Sequence, residues 1–361
     1  MDSEKKSRIS DGGAWAMNVV SSVSIIMVNK LVMSSSGYGF GFATTLTAFH
    51  FTVTALVGWI SNASRSSASK HVPLWELFWF SVVANVSITG MNFSLMLNSV
   101  GFYQISKLSM IPVVCVMEWI LHNKNYSGRV LMAVFVVALG VGVCTVTDVD
   151  INMKGFLCAC VAVFCTSLQQ IERIEVDLVP HAKYSKSIGS LQKKYSIGSF
   201  ELLSKTAPIQ AASLLLLGPI TDYYLNRQFI LNYTVSYGAV FFILLSCSLA
   251  VVCNMSQYLC IGRFSAVSFQ VLGHMKTVCV LVLGWVLFDS ALTFKNILGM
   301  VLAVVGMVIY SWAVEADRST NVKTTQLVHT GKDGKLEENV RLLRDKGDIA
   351  FSDIERGQTK N

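Results

Sequence analysis

The chain has 361 residues, of which 53% are hydrophobic and only 14% charged, and its mean hydropathy is +0.53. A water-exposed globule of this composition would aggregate, so a soluble enzyme is excluded and lipid is the solvent. The formal charge of +7 does not point to nucleic acid, because the basic residues are scattered over loops and a tail equally rich in acids.

Residues 1–13 read as a cytosolic N-terminus, and the apolar run after them lacks a small-residue cleavage site, which predicts a retained first span. Apolar stretches of about 20 residues, the length that crosses roughly 30 Å of hydrocarbon, predict helices over 14–35, 42–61, 75–97, 101–121, 129–148, 154–171, 199–220, 233–257, 264–288 and 293–314. With the N-terminus in the cytosol, the loops on that side hold Arg65, Lys70, Lys124, Arg129, Lys193, Lys194 and Arg263. The opposite loops hold chiefly Lys154 and Arg227, so the distribution of cations places both termini in the cytosol.

The two halves echo each other: Asn92-Phe-Ser, Phe102-Tyr-Gln and Lys107 return as Asn254-Met-Ser, Ser268-Phe-Gln and Lys276. A duplicated unit with an odd number of spans enters the membrane in opposite orientations. The expected fold is therefore an all-α membrane protein of ten transmembrane helices, arranged as two inverted five-helix repeats over 14–150 and 151–314. Residues 315–361 are rich in charged and polar residues and are expected to be a disordered cytosolic tail.

An ionised side chain near the bilayer centre costs roughly 2.5–3.5 kcal/mol on insertion scales, so each one needs a partner or a task. Lys107 in span four and Lys276 in span nine have no acid near them in sequence. Tyr103, Gln104 and Lys107 share one helical face, and Gly273, Lys276 and Thr277 form a stripe flanked by Gln270 and His274. Two ammonium groups converging from matching spans suit a diphosphate, the amide and aromatic groups suit a base and sugar, and Gly273 admits a ligand close to the backbone.

The plainer readings stand beside these. Lys107 can snorkel to the interface, Lys276 can pair with Glu118 or Asp289, and His274 can be an ordinary hydrogen-bonded core residue. Lys30, at the end of span one, either snorkels or lines the cavity mouth, and Lys205 pairs with Glu201. Pro112 and Pro208 are hinge candidates, because each leaves the carbonyl four residues earlier without its donor. Gly140, Gly142, Gly299, Ala303 and Gly306 predict close helix packing. No nucleophile, metal-ligand cluster or phosphate loop has the spacing catalysis needs, so no catalytic residue, metal or cofactor is expected.

Asn29-Lys30, Phe42-Ala-Thr-Thr-Leu-Thr, Gly101-Phe-Tyr-Gln-Ile-Ser-Lys107, Pro112 and Phe269-Gln-Val-Leu-Gly-His-Met-Lys-Thr277 resemble the plant nucleotide-sugar transporters of the drug/metabolite transporter superfamily. Within its triose-phosphate translocator-like group the resemblance is to carriers of UDP-rhamnose and UDP-galactose, from about residue 9 to residue 323. It implies a Golgi membrane antiporter exchanging a UDP-sugar for UMP, with Lys30, Lys107, Gly273, Lys276 and Thr277 at the substrate. A second copy of the chain is a candidate partner. The alternatives are an organic-phosphate or other UDP-sugar carrier of the same fold, and a transport-impaired variant acting only as a membrane partner. The sequence departs from the family pattern at 172–186, a charged insert expected to form a cytosolic loop and to shorten span six.

Overall fold

The computed structural model describes residues 10–63, 71–123, 125–147, 151–171, 188–263, 266–288 and 294–330. All of its regular structure is helical: α1 (Asp11–Met33), α2 (Ala43–Ala63), α3 (Leu74–Leu97), α4 (Val100–Leu108), α5 (Met110–His122), α6 (Gly128–Thr147), α7 (Met153–Gln170), α8 (Ile188–Tyr195), α9 (Ser199–Asn226), α10 (Tyr237–Arg263), α11 (Ala266–Phe288) and α12 (Phe294–Thr330). Seven stretches among the described residues are long and apolar enough to cross a membrane unaided. The distribution of side chains is inside-out relative to a soluble protein. Trp59, Phe135, Val146, Leu216 and Phe241 are exposed, while Asn18, Asp222, Ser246 and Ser256 are completely buried. The chain is a multi-pass membrane protein.

Local chemistry sets the helix ends. The Ser10 side chain accepts from Gly13 N–H at α1, Ser99 from Phe102 N–H at α4, and Asn152 from the Lys154 and Gly155 N–H groups at α7. Asn123 and Arg227 close α5 and α9 in left-handed conformations, φ 48° and 57°.

Three expectations are corrected. Predicted span four is two helices, broken at Ser109. Pro112 supplies the reason, since without an N–H it leaves the Leu108 carbonyl without its usual helical donor at the break. Pro208 and Pro219, in contrast, lie inside the continuous α9. The first part of the polar tail, 315–330, is helical: α12 continues to Thr330, and the first glycine after Gly306 is Gly331, so nothing in that stretch breaks a helix. The short α8 was not expected as an element. It is tied to α3 by a Lys194–Glu76 ion pair of 2.6 Å and by the Tyr195 hydroxyl donating to Glu76 at 2.9 Å. Partial burial opposes the charge on Lys194, but the hydrogen bond to Glu76 and the carboxylate charge outweigh it, and the ammonium is held above its usual pKa. The insert at 172–186 and residues 331–361 lie outside the described residues.

The chain divides into two compact units, Met1–Tyr310 and Ser311–Asn361. Within the first, α1 packs along α10, α3 along α7, α2 along α9 and α4 against α11, with α2 also touching α10 and α3 touching α9. The first part of α12 lies against α6 through small residues. A Cβ added at Gly140 would meet the Ala303 backbone N at 2.4 Å, one at Gly306 would meet Val137 N at 2.7 Å, and one at Gly299 would meet Cys144 Sγ at 2.6 Å. Gly142 is different, with nothing within 4 Å. Gly140→Ala is therefore expected to lower the thermal melting midpoint of the purified protein, by overpacking worth about 1–3 kcal/mol, while Gly142→Ala leaves it unchanged. Equal midpoints for the two variants would contradict this packing.

Polar side chains join the helices across the core. Asn18 donates to Ser256 at 2.9 Å (α1 to α10), Asn92 to Thr47 at 2.8 Å (α3 to α2), and Asn85 to Ser213 at 2.7 Å (α3 to α9). His50 Nε2 and Ser246 Oγ share a bond of 2.8 Å between α2 and α10. In hydrocarbon these bonds stabilise association because the alternative is a polar group with no partner.

Candidate functional site

The site is built from the two helices that carry the intramembrane lysines. α4 packs on α11, and the antiparallel register is set by Val100, whose Cγ1 would stand 2.8 Å from a Cβ at Gly284. Seven residues further along α4 is Lys107, and the same distance back along α11 is Thr277, so the pairing brings Lys107 level with Lys276 and Thr277. The facing helices thus carry two like charges at one level. Both side chains are half-buried, and neither forms an ion pair with any described residue. Glu118, one acid considered for Lys276, instead accepts from the Tyr126 hydroxyl, and Asp289 lies outside the described residues.

Around the lysines the groups fall as follows. Lys107 Nζ sits 4.2 Å above the centre of the buried Tyr103 ring, a cation–π contact that holds the ammonium without neutralising it. Gln104 is buried, with its Oε1 lacking any hydrogen-bond partner. An orphaned buried acceptor is costly unless something else supplies its donor. On α11, the Thr277 hydroxyl donates back to the Gly273 carbonyl at 3.0 Å, and a Cβ at Gly273 would meet open space. The side chains of Gln270 and His274 lie outside the described residues.

Lys30 binds a helix end. Its Nζ donates to the carbonyls of Leu95 at 2.9 Å, Met96 at 3.5 Å and Asn98 at 2.6 Å. These are the orphan carbonyls of the α3 C-terminus, where a cation also meets the negative end of the helix dipole. The ammonium has three N–H groups and all three are engaged, so this geometry favours a capping role over the cavity-mouth reading. Lys205 and Glu201 pair at 3.9 Å, as their spacing predicts.

A matching device at the start of α2 escaped the sequence reading. Asp222 of α9 is completely buried. Its Oδ1 accepts from Thr44 N–H at 3.0 Å, and its Oδ2 accepts from Thr45 N–H at 2.9 Å and the Thr45 hydroxyl at 2.6 Å. The helix begins just after Phe42, which offers no side-chain cap, so its first N–H groups needed an acceptor from elsewhere. A lone acid near the end of an apolar span was the available signal.

The pattern of the triose-phosphate transporter family matches residues 13–311. The chain belongs to the triose-phosphate transporter family. Among its relatives in this family, UDP-rhamnose/UDP-galactose transporter 1 of Arabidopsis thaliana is 67% identical over 360 residues, covering 99% of both chains. UDP-rhamnose/UDP-galactose transporter 3 of the same organism is 64% identical over 363 residues, covering 100% of this chain and 99% of its own. UDP-xylose transporter 2 is 36% identical over 366 residues and 96% of each chain. A crystal structure aligned at TM-score 0.50 and 13% identity, over 81% of this chain and 98% of its own, bears on the fold alone. This member of the triose-phosphate transporter family is accordingly a transporter and not an enzyme.

Proposed function

We propose that the chain is a nucleotide-sugar antiporter of the Golgi membrane, importing UDP-rhamnose, UDP-galactose or both into the lumen in exchange for UMP. The observation that carries this reading is the pair of ammonium groups at one level on the facing helices α4 and α11, with no ion-pair partner among the described residues. A diphosphate relieves the repulsion between two like charges, and the unpaired Gln104 Oε1 offers an acceptor for an N–H or O–H of the base or ribose. The 64–67% identity to transporters named for these two sugars supports the substrate class.

The reading includes ten spans in two inverted repeats, with α4 and α5 forming one broken span, α8 lying in a loop and both termini in the cytosol. Support comes from the packing partners. Exchange α1 with α7, α2 with α9, α3 with α10, α4/α5 with α11, and α6 with α12. The α1–α10 contact then becomes the α3–α7 contact, and α2–α10 becomes α3–α9. The pairs α2–α9, α4–α11 and α6–α12 map onto themselves. Two five-span units related by a two-fold axis would give these paired contacts.

Mechanistically, the lysine pair makes the ligand-free occluded state unfavourable, so the transporter crosses between inward and outward states only when an anion bridges the two helices. The coupling is differential affinity for the occluded state. In proteoliposomes, UMP loaded inside is expected to accelerate uptake of labelled UDP-galactose by about ten-fold or more, the minimum for a coupling of roughly 1.4 kcal/mol. Equal uptake into empty and loaded vesicles would contradict exchange. Preference for triose phosphate over UDP-sugar would replace this reading with the organic-phosphate carrier that the family name suggests.

A further inference from the structure

A crevice of about 350 Å³ runs between α3, α7 and α9 beside the start of α2, on helices that carry neither Lys107 nor Lys276. Its walls are apolar, with Val86, Phe93, Leu157, Val161, Leu217 and Leu225 among them. Four of these, Val86, Leu157, Val161 and Leu217, are exposed on the lipid-facing surface. The polar groups along its α9 wall are turned to protein partners: Ser213 donates to the Ile209 carbonyl at 2.8 Å, and Thr221 to the Leu217 carbonyl at 2.9 Å. The surface it presents is mainly hydrocarbon, with the oxygens of Thr44, Asn85 and Thr89 buried in its α2 and α3 walls.

Its length is informative. From Ser213 to Leu225 the α9 wall covers thirteen residues, a rise of about 18 Å at roughly 1.5 Å per step. One leaflet of hydrocarbon is half of a core of roughly 30 Å. With the C-terminal end of α9 at the membrane surface, a crevice of this length would reach about the bilayer centre, as one acyl chain does. At its surface end stand two exposed cations. Lys154, one turn before Leu157 on α7, reaches across to the Leu225 carbonyl at a long 3.4 Å, and Arg227 follows α9 two residues beyond Leu225. Neither has an acid partner among the described residues. They are the two cations that stand out on a side of the membrane otherwise poor in them.

We propose that this crevice is a binding site for a single anionic phospholipid, with one acyl chain lying along α9 and the phosphate at Lys154 and Arg227. The chain fills a gap that bulk lipid would fill without preference, and the cations supply the preference. In the orientation proposed above, the lipid belongs to the lumenal leaflet. The site is separate from the lysine pair and does not depend on the identity of the transported substrate.

The test uses the purified full-length chain in detergent, mixed with equal amounts of phosphatidylglycerol and phosphatidylcholine and examined by native mass spectrometry. One phosphatidylglycerol is expected to be retained in preference, by about five-fold for each cation. The Lys154→Gln/Arg227→Gln variant is expected to retain both lipids equally. Val86→Phe/Val161→Phe, which adds bulk at two lipid-exposed positions, is expected to lose both lipids while UMP still raises its melting midpoint. Equal retention of the two lipids by the unmodified chain overturns the proposal, as does unchanged retention after the crevice is filled. Displacement of the lipid by excess inorganic phosphate also overturns it, since the site would then recognise the anion without the acyl chain.

Discussion

Lys276→Ala is expected to reduce UDP-galactose/UMP exchange by about ten- to a hundred-fold. Hydrogen bonds to a charged group are worth about 1.5–3 kcal/mol each, and each 1.4 kcal/mol is a factor of ten. Lys107→Ala is expected to fall in the same range. Because both lysines act on one diphosphate, the double variant is expected to lose less than the product of the two single losses. The informative measurement is thermal melting without and with UMP. Without ligand, removing either lysine removes a repulsion, so the midpoint is expected to hold or rise. The upward shift that UMP gives the unmodified chain is expected to disappear. A fall in the ligand-free midpoint, with the UMP shift retained, would reassign the lysine to structure and remove the central support for the antiporter reading.

Asp222→Ala is expected to have the largest effect on folding. Asp222 receives two backbone N–H groups and one hydroxyl in a completely buried position. Truncation strands the Thr44 and Thr45 N–H groups, at about 1–3 kcal/mol each. A loss of about 3 kcal/mol or more, at roughly 2 °C per kcal/mol for large domains, lowers the melting midpoint by about 6 °C or more. Asp222→Asn keeps one acceptor oxygen and is expected to fall between. Asp222→Ala melting within a degree of the unmodified chain would show that the α2 N-terminus finds other acceptors.

The Asp222 and Lys30 contacts close helix ends at the same face of the membrane, one on the N-terminus of α2 and the other on the C-terminus of α3. Opposite charges serve opposite ends of the helix dipole. In lipid such ends cannot be left to water, which is why the partner comes from a different helix in each case.

Much of this protein follows from its sequence alone. The multi-pass helical class is legible because apolar runs of bilayer length admit no other structure in hydrocarbon. The intramembrane lysines are legible because an ionised group there is expensive wherever the chain folds. Gly140, Gly299, Ala303 and Gly306 were readable as packing surfaces for the same kind of local reason, a missing side chain. Gly142 carries the same signal and packs on nothing, since the sequence does not say which way a glycine faces.

What only the tertiary structure decided is partnership. That Lys107 stands level with Lys276 and Thr277, that Gln104 is left with an empty acceptor, and that Lys30 caps α3 depend on which helices lie side by side and in what register. Asp222 meets Thr44 and Thr45 from 178 and 177 residues away. A hydrogen bond reaches about 3 Å, so its energy is set by proximity in space, and periodicity along one helix records which face is apolar but not whose face it meets.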